Sequence, residues 1–184
     1  MKKLNVTQKY YLVLVFGGLM GFIASFWQLL DKLALLKNSH AALSCNLNSV
    51  FNCSNILNAH QSSVFGFPNS LLCLILFLIA VVLGVTGLTG SKIHKWVRIA
   101  AQGMALFTVG FGLWYLWQSI FNIGAFCIFC IFCFSGVLII NAAWFRLNYK
   151  DLGFSDRWTT KGVDFFVWCL IALVVVLEAL IKFA

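Results

Sequence analysis

The stretch SLLCLILFLIAVVLGVTGLT, Ser70 to Thr89, runs for 20 residues without a charged side chain. At about 1.5 Å of rise per residue, a helix of that length crosses the roughly 30 Å hydrocarbon layer of a bilayer. Backbone groups in hydrocarbon find no water, so a spanning segment must be a helix or part of a closed barrel. Barrel strands alternate polar and apolar residues, and this stretch does not. It reads as a transmembrane helix. Working outward, Tyr11 to Leu30, Val97 to Ile120, Cys127 to Phe145 and Val163 to Ile181 have the same character. The chain is therefore expected to be an all-α integral membrane protein of five spans, with residues 1–184 as a single membrane domain and 31–69 as its long loop. Composition points the same way: 62% hydrophobic and 10% charged residues, with a mean hydropathy of +0.95, leave too little polar surface for a water-soluble domain. The first apolar run leads into Gln28-Leu29-Leu30-Asp31-Lys32 rather than a small-residue cleavage site, so it is expected to be retained and not removed as a signal peptide.

Lysine and arginine beside the spans set the expected orientation. Lys2, Lys3 and Lys9 precede the first span, Lys92, Lys95 and Arg98 fill the second connection, and Arg146, Lys150, Arg157 and Lys161 the fourth. Those segments are expected in the cytoplasm. The 31–69 loop holds only Lys32 and Lys37, and the connection from Phe121 to Phe126 holds none, so both are expected outside. The net charge of +8 is thus a topological signal rather than the mark of a nucleic-acid surface.

The outer loop is the only segment long enough for polar structure. It interleaves Asn46, Asn48, Asn52, Asn55, Asn58, His60 and Gln61 with Val50, Phe51, Ile56 and Leu57 at helical spacing. That pattern predicts a short amphipathic helix lying on the membrane. Cys53 shares its apolar face, whereas Cys45 sits in more polar chain, so one sulfur is expected toward lipid and the other toward water.

Cys127-Ile128-Phe129-Cys130 opens the fourth span. Cysteines three apart lie on adjacent turns, where their sulfurs can bridge, and the amino-terminal end of a helix favours a thiolate. Cys130-Ile131-Phe132-Cys133 repeats the spacing one turn deeper, where ionising a thiol is costlier. The shallower pair, Cys127 with Cys130, is therefore preferred. Isolated cysteines in apolar helices are usually packing, which is the reading for Cys73, Cys133 and Cys169. Cys45 and Cys53 admit a second reading, a static disulfide in an oxidising compartment. His40, His60 and His94 form no ligand spacing with the cysteines, so no metal site is expected.

Taken together, Cys45 and Cys53 with seven residues between them, Val64-Phe65-Gly66-Phe67-Pro68-Asn69-Ser70 entering a span, and Cys127-Ile128-Phe129-Cys130 opening a later one resemble the vitamin K epoxide reductase family, particularly its bacterial members. The likeness covers nearly the whole chain. It implies a four-helix bundle around a quinone, ubiquinone or menaquinone, with a further helix, in the bacterial inner membrane and with the active cysteines on the periplasmic side. It also implies a thioredoxin-like or DsbA-type partner, here expected to be a separate protein because no such domain follows in these 184 residues. On this likeness Cys45, Cys53, Cys127 and Cys130 are the catalytic residues of a disulfide relay. Asn69 would hydrogen-bond a quinone carbonyl, with Phe67 and Phe134 among the walls of its site, although Asn69 and Ser70 beside Pro68 also suit plain helix capping. Ala59, Cys73 and Phe134 depart from the residues usual in the family, serine, glycine and, in vertebrate members, tyrosine. These departures favour quinone over epoxide as the electron acceptor. A structural membrane protein with a static loop disulfide is the main alternative. A transporter is disfavoured because the span centres lack ionisable side chains.

Overall fold

The computed structural model describes residues 5–39, 41, 43, 45–48, 50–149, 151–154 and 163–183. Lys2, Lys3, His40, Lys150, Arg157, Lys161 and Ala184 lie outside them. In chain order the elements are α1 (Val6–Lys37), α2 (Cys53–Asn58), a 3-10 turn at His60–Ser63, α3 (Asn69–Leu88), α4 (Lys95–Trp117) running into a π-helical turn at Gln118–Ile123, α5 (Ile128–Asn148) and α6 (Val163–Phe183). The chain is an all-α membrane protein. Among the described residues the single β feature is an isolated bridge between Phe51 and Phe126, and α1, α3, α4 with its π turn, and α5 are each long and apolar enough to cross a bilayer. The fifth apolar run forms α6.

α1 packs against both α3 and α5. Between helices in lipid there is little hydrophobic drive, so close van der Waals approach through small residues holds them. A Cβ at Gly17 would come within 2.8 Å of Ile139 on α5, and one at Gly84 on α3 would press on Val15. Leu14, Phe77, Ile140 and Trp144 fill the centre, and α6 adds Trp168, Ile171, Ala172 and Val175. Phe16, Ile23, Val82 and Phe107 project outward, where hydrocarbon is their solvent. At the opposite end from the 31–69 loop, Arg98 ties α4 to α5. It donates to Asn148 Oδ1 at 3.0 Å and pairs with Asp151, while Asn148 Nδ2 donates to Gln102 Oε1 at 2.9 Å.

The expected first span, Tyr11 to Leu30, is only the middle of α1. The helix starts early because Asn5 and Gln8 form a reciprocal capping box. It ends late because Asp31-Lys32-Leu33-Ala34-Leu35-Leu36-Lys37 contains no glycine or proline to stop it. Its 32 residues measure about 48 Å, so the end beyond Leu30 overhangs the bilayer and walls the loop.

This overhang corrects the loop reading. The expected helix through Val50 and Phe51 is absent; that segment is extended, with Phe126 N donating to Val50 O at 2.6 Å and Asn52 N to Phe126 O at 3.0 Å. α2 starts only at Cys53, where the Asn52 side chain accepts from Asn55 N. Its apolar face turns inward rather than lying on lipid. Cys53, Ile56 and Leu57 are buried against Leu35, Leu43, Ala125 and Cys127, a protein surface that the end of α1 and the 125–127 segment build together.

Candidate active site

Two local devices bring the loop cysteines together. Asn46 Oδ1 accepts from Ser54 N at 3.1 Å, and Asn46 Nδ2 donates to Ser54 Oγ at 2.7 Å, which fastens the chain after Cys45 to the first turn of α2. The Cα atoms of Cys45 and Cys53 lie 5.8 Å apart and their sulfurs are bonded as a disulfide. Cys45 was expected in solvated chain, yet it is only 3% exposed. The α1 overhang covers it, with Asp31 Oδ2 at 3.4 Å from its sulfur.

Cys127 precedes α5 as an extended residue, so it points out of the helix end instead of along its face. The approach that carries it there turns at Gly124, whose φ of +71° suits glycine and closes the π turn of α4. Cys127 Sγ lies 3.4 Å from Cys53 Sγ. A disulfide sulfur carries no hydrogen, so any S–H shared in this contact is that of Cys127. Cys127 and Cys130 are free thiols, both buried. Thus all four expected catalytic cysteines come together, with an oxidised pair touching a reduced one. Cys133 is held elsewhere: its sulfur is 3.2 Å from Ser25 Oγ and 3.9 Å from Gly21 O, one turn deeper. Cys169 is exposed on α6.

Three side chains near the end of α1 belong to this site and escaped the sequence reading. Gln28 Nε2 donates to Cys130 Sγ at 3.1 Å and lies 3.8 Å from Cys127 Sγ. Asp31 faces Cys45. Lys32, 8% exposed, donates to Leu57 O and, at 2.9 Å, to Ser62 Oγ, clamping the last turn of α2 to α1. A signal was present, since three polar residues interrupt the end of an apolar run. In sequence it is indistinguishable from ordinary snorkelling at a span end.

Behind Cys130 a cavity opens between α1, α3, α4 and α5, of about 630 Å³ counted with its mouth. Cys130, Cys133 and Phe134 form one wall, Ser70 and Cys73 another, and Phe111 and Tyr115 a third. Phe134 is where the resemblance implied it. Asn69 is on the lining too, but its amide is spent on the loop: Nδ2 donates to Gln61 O at 2.7 Å and Oδ1 accepts from Val64 N at 3.2 Å. Phe67 does not line the cavity. It is 39% exposed and stacks on Phe65, because the turn after Gly66 carries it outward. Ser70 Oγ is buried on the wall with no hydrogen-bond partner among the described residues. Such an atom fits a site that receives an acceptor from a bound molecule.

Sulfur contact and cavity together can pass an electron pair from the loop disulfide region, through Cys127 and Cys130, to an apolar molecule with a polar edge. No curated protein matches the chain. A family model does: that of the vitamin K epoxide reductase family matches residues 12–149, which takes in both cysteine pairs and every helix that lines the cavity. The chain is a multi-pass membrane protein that belongs to the vitamin K epoxide reductase family.

Proposed function

We propose that the protein is a quinone-dependent thiol-disulfide oxidoreductase that reoxidises a thioredoxin-like or DsbA-type partner at the outer face of the bacterial inner membrane. The observation that carries this reading is the 3.4 Å contact between Cys53 of the loop disulfide and the free thiol of Cys127, with Cys130 on a cavity wall one turn behind.

The relay runs by successive attack of thiolate on disulfide sulfur. A partner thiolate attacks Cys45, a partner–Cys45 disulfide forms, and the electron pair goes to Cys53. The partner's second thiol then attacks its own bridged sulfur, leaving Cys45 reduced and the partner oxidised. Because Cys45 is buried, the contacts that cover it must part for this exchange. Cys53 next attacks Cys127 of a Cys127–Cys130 disulfide, and the pair goes to Cys130. Cys45 finally attacks Cys53, restoring the loop disulfide and releasing Cys127.

The family is quinone-linked, and the cavity suits a quinone ring: apolar walls, aromatic faces from Phe111 and Phe134, and the unpartnered Ser70 hydroxyl as a donor to a carbonyl. When bound, a quinone would supply the two-electron acceptor: as Cys127 and Cys130 bond again, their two electrons and two thiol protons would pass to it, giving the quinol. The residues do the rest: Cys130 lines the cavity, and Phe134 and Leu116 help exclude water from it. Five crossings, with α6 as the last, give the orientation that the flanking charges favour.

The test is reconstitution in vesicles with a reduced thioredoxin-like partner and either ubiquinone or menaquinone. One partner disulfide should form per quinone reduced, and none without quinone. A partner that stays reduced while the loop disulfide persists would favour the static structural disulfide instead.

A further inference from the structure

Along α1, Gly21, Ser25, Gln28 and Lys32 form one helical stripe, and it faces the cysteines of α5 in antiparallel register. Gly21 and Ser25 meet Cys133, Gln28 meets Cys130 and Cys127, and Lys32 meets the end of α2. Gln28 is the one member of the stripe whose donor reaches both sulfurs of the inner pair, at 3.1 Å and 3.8 Å. It is 7% exposed, so the sulfurs it faces are largely shielded from bulk solvent.

We propose that Gln28 is a catalytic residue of the electron transfer, its carboxamide stabilising the negative charge first on Cys130 and then on Cys127. The role rests on the relay described above. When Cys53 attacks Cys127, the Cys53–Cys127 bond forms, the Cys127–Cys130 bond breaks, and the pair moves to Cys130 Sγ, directly beneath Gln28 Nε2. When Cys45 then attacks Cys53, the Cys53–Cys127 bond breaks and the pair moves to Cys127 Sγ. A carboxamide carries two N–H donors, so a small rotation of one side chain serves both leaving sulfurs without transferring a proton. Buried thiolates depend on such donors because a charge in a low-dielectric interior is costly unless hydrogen-bonded. Ser25, the corresponding partner of Cys133, lies too deep to serve the pair.

The proposal is tested in full-length protein carrying Cys45→Ser, in which Cys53 can attack Cys127 but the second step cannot follow. The fraction with a Cys53–Cys127 linkage, against that with Cys127–Cys130, reads how well free Cys130 is stabilised. Gln28→Met keeps the length and removes the donor, and should lower that ratio by about tenfold or more. Gln28→Glu keeps the shape and should lower it progressively as pH rises and a carboxylate comes to oppose the sulfur. Thermal unfolding in detergent identifies any variant that fails to fold, and either variant alone suffices. An unchanged ratio in a folded variant overturns the role of Gln28 and leaves the relay standing. No Cys53–Cys127 linkage with Gln28 intact overturns the relay itself, and this role with it.

Discussion

Cys53 Sγ lies 3.4 Å from Cys127 Sγ while remaining bonded to Cys45. This contact joins two segments 74 residues apart in sequence. It depends on the extended 50–52 segment bonding to Phe126, on α2 docking by Ile56 and Leu57, and on Lys32 holding the far end of α2. The local folding of the loop and the chemistry of the site are therefore one problem.

Replacing Cys45, Cys53, Cys127 or Cys130 with serine should abolish steady oxidation of the partner, since each is a link in a serial relay. Cys133→Ala and Cys169→Ala should keep most of the activity, and Cys73→Ala, on the cavity wall, should keep turnover as well. Turnover assays of the seven variants decide. Activity lost in Cys133→Ala but kept in Cys127→Ala would move the working pair one turn deeper.

Ile56 is fully buried beneath α2. Ile56→Asp forfeits roughly 2 kcal/mol of apolar burial and places a carboxylate where it has no partner. It should undock α2 and diminish any disulfide between Cys53 and Cys127. Val50→Asp should do less, because Val50 is only half-buried and contributes its carbonyl rather than its side chain to the pairing with Phe126. Equal linkage in Ile56→Asp and unmodified protein would remove docking from the account.

Gly21 is packed so closely on the buried Phe77 ring that any Cβ would overlap it. Gly21→Val should destabilise the bundle by about 1–3 kcal/mol or more, as overpacking does. Gly103→Ala, with nothing within 4 Å of a new Cβ, should unfold at the temperature of the parent. Thermal melts in one detergent compare them.

A tag before Met1 should be cytoplasmic and one after Ala184 external, as five crossings require. Protease protection in sealed vesicles reads both. Two ends on one side would mean that α6 does not cross.

The four helices long and apolar enough to span a membrane, and the spacing of Cys127 and Cys130, were legible because each is a local pattern: an uncharged run such as Ser70 to Thr89, or two cysteines three apart at a span end. The loop was harder. Val50 and Phe51 fall at helical spacing with Ile56 and Leu57, and periodicity alone cannot tell that the first two are extended and bridged to Phe126. Asn52 caps α2 between the two, so the helix starts only after it. The burial of Cys45 was not legible at all, since its cover comes from Leu35, on a helix longer than its apolar core, and from Leu43 in the loop that follows. Gln28 and Lys32 were in plain view but mimic the polar fringe of any span, and only the register of α1 against α5 gives them a role.

The most direct measurement is peptide mapping, under non-reducing conditions, of protein carrying Cys130→Ser. Without Cys130, Cys127 has no inner partner and attacks the sulfur it already touches. The account predicts a dominant Cys53–Cys127 linkage with Cys45 free or bonded to the external protein; a dominant Cys45–Cys127 linkage would contradict it and reverse the order of the relay.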